Sequence, residues 1–398
     1  MKIRTLRVRK LTGTMLTDGP MWEDRLVRPI DVYPEHRRDP WRTAGGEQID
    51  DRHFRTTQEF LEISTDEGIT GIAGPLWPDP ARLVLTQLAH LLLGQDPLAT
   101  ERLWDQMHRF QVHGRQGDAM IAISAVDCAL WDIKGQALGQ PIWRLLGGPT
   151  RTEVPAYASL LGYAVEDLGR VRERALRYRE LGYSAQKWFF RHGPMSGPAG
   201  LAKNVALVRT LRETLGDGYP IMLDCWQSMS FDYAVDLCSR IEEYRPRWLE
   251  EVFMPDRVDS YVKLKAKTRI PLAGAEHEYT RWGFKRFLDL DALDVLQPDI
   301  YWCGGLSETL KIAACATAHD LITIPHGHST PMTIHFSVTQ SPIHTPYQEY
   351  LVKWNAINMH FLKHPLQPEN GVIRLPDAPG ANMMLDPDKI EREEEIRA

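Results

Sequence analysis

Ile221-Met-Leu-Asp224, Trp248-Leu-Glu-Glu-Val252 and Leu272-Ala-Gly-Ala-Glu276 decide the fold of this chain. Each is a short β-like run that carries an acid at or near its end. Asp224, Glu250 and Glu276 stand 26 residues apart (250 − 224 and 276 − 250), a step that fits one strand, one helix and their connections. Similar runs lie on both sides. Val154-Pro-Ala-Tyr-Ala158 and Ala185-Gln-Lys-Trp-Phe189 precede them, and Leu293-Asp-Val-Leu-Gln297, Ile322-Thr-Ile-Pro-His326 and Tyr347-Gln-Glu-Tyr-Leu351 follow. Eight strands joined by amphipathic segments are what a parallel (β/α)-barrel requires. A doubly wound open sheet gives the same alternation, but no Gly-rich phosphate loop follows the first strand, which disfavours its dinucleotide-binding form.

Upstream the pattern differs. Residues 1 to about 16 alternate like a strand, and Glu59-Phe-Leu-Glu-Ile-Ser64, a turn at Asp66-Glu67-Gly68 and Ile69-Thr-Gly-Ile72 read as a hairpin. From about 80 to 145 the period becomes helical. Ile123, Val126, Leu130 and Ile133 share one face, and Gly139 and Pro141 stop the helix. This predicts a small α+β domain ahead of the barrel. Residues 17–57 are rich in Pro, Asp and Arg and carry no sustained period. So long a loop is either disordered or a functional lid, and both readings stay open here.

A chain of 398 residues holds a barrel of about 250 residues and a second domain. Its net charge of −6 gives no electrostatic footprint for nucleic acid. An acidic protein that binds an acidic small molecule needs local positive charge, which a divalent cation supplies. The five cysteines form no CxxC pair, so neither a disulfide framework nor a zinc ribbon is indicated. The basic N-terminus lacks the apolar run of a signal peptide, and no stretch approaches the roughly 20 apolar residues of a membrane span. The expectation is a cytoplasmic enzyme with no nucleic-acid or membrane partner.

Barrel chemistry sits at the C-terminal ends of strands, where the residues in order are Asp224, Glu250, Glu276, Asp299, His326 and Glu349. Three converging carboxylates repel one another, and Mg²⁺ prefers such oxygen ligands while keeping positions for water and substrate. Strand alternation lets only one of Glu250 and Glu251 point inward. Neighbouring strand ends lie about 5 Å apart, so Asp299 can hold the Nδ1–H of His326 and leave Nε2 as a base. His328 lacks such a partner and reads as a substrate contact or as structural.

The motifs carry a resemblance. The helix Ala122-Ile-Ser-Ala-Val-Asp-Cys-Ala-Leu-Trp-Asp-Ile-Lys-Gly135 resembles one shared by the mandelate racemase branch of the enolase superfamily. Met222-Leu-Asp-Cys-Trp226, Trp248-Leu-Glu-Glu251, Gln297-Pro-Asp299, Trp302-Cys-Gly-Gly305 and Pro325-His-Gly327 are similar to the rhamnonate-type acid-sugar dehydratases within it. The likeness runs from about residue 58 onward, and Gly371, Pro379 and Gly380 lie in a segment similar to the one that family returns to its capping domain.

The resemblance implies a modified barrel of seven or eight strands over about 146–365, capped by an α+β domain over 1–145 and completed by 366–398. It implies Asp224, Glu250 and Glu276 as Mg²⁺ ligands, His326 with Asp299 as general base, and Glu349 as a hydrogen-bond partner of the substrate carboxylate or enediolate. It implies His277 as a group assisting the departing hydroxyl, and a homo-oligomer. The implied activity is Mg-dependent dehydration of an L-rhamnonate-like aldonate to a 2-keto-3-deoxy acid through an enediolate, in carbohydrate catabolism. The alternative is an epimerase, racemase or other enolate-forming lyase. Mg²⁺ beside a Lys or His base is the established arrangement of enolase-superfamily sites.

Many relatives carry Lys-x-Lys at the end of the second barrel strand. Here the stretch reads Lys187-Trp188-Phe189, so the base on the opposite face is missing, and dehydration fits better than racemisation. Lys187 reads as a positive charge near substrate or as an ordinary barrel lysine. Arg191 and His192 lie just past the same strand as candidate substrate contacts. In this family the N-terminal loop caps the barrel mouth and selects the substrate, which makes Tyr33, His36, Arg37, Arg38 and Trp41 candidates.

Overall fold

The computed structural model describes residues 1–37 and 45–397. The N-terminal part contributes β1 (Ile3–Leu16), β2 (Gly46–Gln48), β3 (His53–Thr65) and β4 (Thr70–Leu76). β1 and β3 pair antiparallel along nearly their whole length, and β2 and β4 both pair with β3. Alternation does the work expected of it in the first half of β1: Leu6 and Val8 are buried, while Arg7 and Arg9 point outward and bind Glu62 on β3. The loop expected over 17–57 is shorter than the sequence suggested. β3 begins at His53, and β2 lies beside it.

The helix Asp118–Ala137 departs from its expected one-sided pattern, being buried on nearly every face. It lies between β4 and the helix Gly305–Ala318 of the barrel. Its polar residues are therefore satisfied internally, as burial demands. Asp127 accepts hydrogen bonds from Ser307 N (2.9 Å) and Oγ (2.6 Å). Asp132 accepts from Ile72 N (2.9 Å) and from Ala381 N (2.7 Å) of the C-terminal segment.

The eight expected barrel strands form as β5 (Glu153–Ser159), β6 (Ala185–Phe189), β7 (Ile221–Asp224), β8 (Trp248–Glu250), β9 (Leu272–Gly274), β10 (Val295–Leu296), β11 (Ile322–Thr323) and β12 (Gln348–Leu351). All pair parallel, in the order β11-β10-β9-β8-β7-β6-β5-β12. The last strand thus lies beside the first, which an open doubly wound sheet does not do. Tyr157, Ala185, Met222, Trp248, Ala273, Val295 and Ile324 from successive strands meet in one buried interior cluster. The seam between β11 and β12 has no ladder. There Gly327 N donates to the Glu349 carboxylate at 2.9 Å.

Two further strands complete the chain. β13 (Val372–Arg374) runs antiparallel to β5, and β14 (Arg392–Arg397) pairs with β1. The C-terminal segment therefore finishes the capping sheet. No helix among the described residues is long and apolar enough to cross a membrane.

Candidate active site

The parallel register carries Asp224 and Glu250 to the same level, since the two are direct partners on β7 and β8. Glu250 is fully buried. Its Oε2 accepts from Trp248 Nε1 and Gln297 Nε2, each at 2.8 Å. Lys187, inward on β6, pairs with Glu250, lies 2.7 Å from Glu349 Oε1 and 3.6 Å from Asp224 Oδ2. Burial pushes the Asp224 and Glu250 carboxyls up to about 7, against the opposing pull of Lys187. Burial likewise takes Glu276 to about 7, with His326 and His277 opposing. For Glu349, burial is outweighed by Lys187 and His326, and its carboxyl is lowered.

His326 Nδ1 meets Asp299 Oδ2 at 2.7 Å, and Asp299 Oδ1 is held by Tyr301 N at 2.7 Å. That leaves His326 Nε2 facing Glu276 Oε2 at 3.6 Å. Burial alone would lower the imidazole, but Glu276, Asp299 and Glu349 outweigh it and raise it to about 10. A Cβ on Gly327 would stand 2.8 Å from Glu349 Cγ, so glycine after His326 is what lets β12 close against β11.

Glu251 breaks the strand alternation expected of it. Its φ of 46° turns the chain, and its carboxylate accepts from Ala275 N at 2.7 Å and meets His277 Nδ1 at 3.1 Å. Glu251, Glu276 and His277 bring potential ligand atoms within 4.8 Å of one another, so both glutamates of the pair reach the mouth. Burial is outweighed at His277 by Glu251 and Glu276, and its imidazole is raised. Between His277 and His326 stands Trp302, its ring centroid 5.3 and 5.0 Å from theirs. Its indole Nε1 is buried without a hydrogen-bond partner. His328 stacks on Trp77 at 5.8 Å, and burial lowers its imidazole to about 4. Trp77 had no sequence signal. Trp302 stood in a quoted motif without a role.

The described part of the N-terminal loop bonds to the loops that follow three barrel strands. Glu23 N bonds Gly162 O after β5, Val27 N bonds Phe190 O after β6, each at 2.8 Å, and Ser228 Oγ after β7 bonds Val27 O at 3.1 Å. The lid candidates do not join the carboxylate cluster. Tyr33 and His36 are exposed and face each other edge-on, and Arg37 Nε bonds Asp31 O at 2.9 Å. Arg191 pairs with Asp24 (3.0 Å) and Glu166 (3.2 Å), and His192 bonds Glu166 at 2.8 Å. Arg38 and Trp41 lie outside the described residues.

Comparison with known proteins gives the same outline. Residues 170–389 match the family described as enolase C-terminal domain-like. Residues 37–147 match the mandelate racemase / muconate lactonizing enzyme N-terminal domain. An L-rhamnonate dehydratase of Saccharopolyspora erythraea is 33% identical, covering 98% of this chain and 97% of that protein. The structure of rhamnonate dehydratase from Gibberella zeae complexed with Mg is 28% identical, with a TM-score of 0.80 over 98% of this chain and 95% of that one. The 3,6-anhydro-D-galactonate cycloisomerase of Zobellia galactanivorans is also 28% identical, with a TM-score of 0.77 over 98% and 99%.

Proposed function

Because this chain belongs to the enolase superfamily, in its mandelate racemase branch, we propose that it is a Mg-dependent acid-sugar dehydratase. The observation that carries the reading is His326, tied through Nδ1 to Asp299 at 2.7 Å with Nε2 turned toward Glu276. That is a base aimed at a carboxylate cluster.

Asp224, Glu250 and Glu276 are the residues proposed to hold Mg²⁺. Three buried carboxyls, each raised to about 7 by burial, are costly in isolation, and a hard divalent cation is the fitting counter-charge. When bound, the cation supplies positive charge where negative charge develops on the substrate carboxylate. The protein's own groups hold His326 protonated, chiefly through Glu276. Neutralising that carboxylate brings the imidazole back toward the range of a useful base.

His326 Nε2 then takes the proton α to the substrate carboxylate, giving an enediolate, while Lys187 holds the carboxylate end and Glu349, ionised in the free site, takes up a proton to share a hydrogen bond there. The C–O bond at the β-carbon breaks. The hydroxyl leaves as water with a proton from His277 or from His326, and the enol tautomerises to the 2-keto-3-deoxy acid. L-Rhamnonate, named for the 33% relative, is the first aldonate to test.

Epimerisation or racemisation needs a second base on the opposite face. Phe189 fills the position of the missing lysine, and Lys187 is engaged by three carboxylates that hold its ammonium well above the usual range. Neither serves as that base. The test is a panel of five- and six-carbon acid sugars incubated with Mg²⁺ in deuterated water. Formation of 2-keto-3-deoxy acid is expected. Exchange of the α-proton with no such product would overturn the dehydratase reading.

A further inference from the structure

Between the lid and the loop after β6 lies a cleft of about 50 Å³ lined by Arg25, Arg28, Arg37 and Arg191, with Asp31 and Ser228 beside them. On the same measure a water molecule needs about 10–15 Å³, so the cleft takes a small polyatomic group. Three of the arginines come from the lid and the fourth from the barrel. The two parts touch because position 193 is glycine, where a Cβ would stand 2.9 Å from Val27 Cγ2.

Part of this positive charge is structural. Asp31 accepts from Arg25 Nη1 (2.5 Å), from Arg28 N (3.0 Å) and from Arg28 Nη2 (3.3 Å), which pins the lid turn. Arg191 pairs with Asp24 and Glu166, and Glu166 also serves Lys203 and His192. The remainder is unspent. Arg28 Nε is buried with no hydrogen-bond partner, and among the described residues the hydrogen bond of the Arg37 guanidinium uses Nε alone. A buried donor left unmade is costly. Here the unmade donor belongs to a guanidinium, whose fork matches the geometry of carboxylate and phosphate oxygens. Four arginines around one lining carboxylate also run against the chain's net charge of −6.

We propose that this cleft binds an oxyanion, carboxylate or phosphate. Arg191 is the residue after Phe190, whose N–H bonds Asp224 O at 3.0 Å, so the loop that lines the cleft leaves the barrel beside the strand that carries Asp224. The anion is then either a second acidic group at the far end of the substrate, a source that rests on the dehydratase reading, or free phosphate, which does not.

Inorganic phosphate titrated calorimetrically into the full chain is expected to bind one to one, equally with Mg²⁺ or with chelator. Arg28→Met and Arg191→Met should each weaken it at least tenfold. In parallel, matched six-carbon aldonates and aldarates are compared on the wild-type enzyme, an arm that needs no variant to fold. A preference of tenfold or more in kcat/KM for the dicarboxylate, reduced in Arg28→Met, supports the cleft and assigns the anion to the substrate. Phosphate binding with both classes turned over alike supports the cleft as a site for the free anion. Phosphate binding that requires Mg²⁺, or that survives both substitutions in folded protein, overturns the proposal. So does absence of both phosphate binding and dicarboxylate preference. If neither class is turned over, the dehydratase reading fails, and the phosphate titration alone decides the cleft.

Discussion

Lys187 Nζ on β6 lies 2.7 Å from Glu349 Oε1 on β12, and the same buried ammonium contacts Glu250 and approaches Asp224. One cation thus holds acids from three other strands at the barrel mouth. Lys187→Met leaves those acids facing one another, and breaking a buried pair from one side costs about 3–5 kcal/mol. The variant should melt several degrees below wild type in chelator, recover part of the loss with Mg²⁺, and fall at least ~100-fold in kcat/KM. Differential scanning calorimetry with and without the metal reads the first two. An unchanged midpoint in chelator would show that the carboxylates do not depend on Lys187.

Metal removal tests the same cluster from the other side. Chelator should abolish turnover and added Mg²⁺ restore it. A cation that binds only the folded protein stabilises it by about 2.7 kcal/mol at 100 times its Kd, so the thermal midpoint should climb with Mg²⁺ concentration. Asp224→Asn should flatten that climb. Full activity in chelator would sink the metal's role.

The eight barrel strands were legible because short β-like runs recur between helical segments, three of them with acids 26 residues apart, and β6 and β7 fall on the runs read for them. What escaped the sequence depended on contacts distant along the chain or on a single dihedral angle. Period-two alternation turned Glu251 away from Glu250, and only its φ of 46° brings it round to His277. Asp127 and Asp132 point to different sides of their helix, and only their distant hydrogen-bond partners, Ser307 for the first and Ile72 and Ala381 for the second, show that both sides are indoors. The stacking of Trp77 on His328 joins β4's edge to the end of β11, a pairing that no local pattern encodes.

Asp127 gives a stability signature with a definite sign. Burial raises its carboxyl to about 7, against the hydrogen bonds from Ser307. The folded state therefore holds this proton more tightly than the unfolded chain, whose value is about 3.8. The resulting stabilisation is complete below about pH 4 and is lost as pH rises through 7, by about 4 kcal/mol at most. Asp127→Asn lacks this term. The stability of wild type relative to that variant should decline between pH 4 and 7 in denaturant titrations, and a difference that is flat or rises would contradict the assignment.

Two carboxylate–histidine pairs flank Trp302: Asp299 with His326 at 2.7 Å, and Glu251 with His277 at 3.1 Å. If the first removes the α-proton and the second delivers a proton to the leaving hydroxyl, the two half-reactions should separate by mutation. His326→Asn should stop both α-proton exchange and product formation, lowering kcat by about 10²–10⁴. His277→Asn should slow product formation by a comparable factor while the α-proton still exchanges with deuterated water, because its loss affects only the C–O bond. Glu251→Gln should follow His277→Asn more weakly, since it loosens the imidazole without removing it. Mass spectrometry of recovered substrate reads exchange, and 2-keto-3-deoxy acid formation reads elimination. Wild-type product formation in His277→Asn would assign the acid step to the protonated His326 instead, with one histidine serving the same face of the substrate twice.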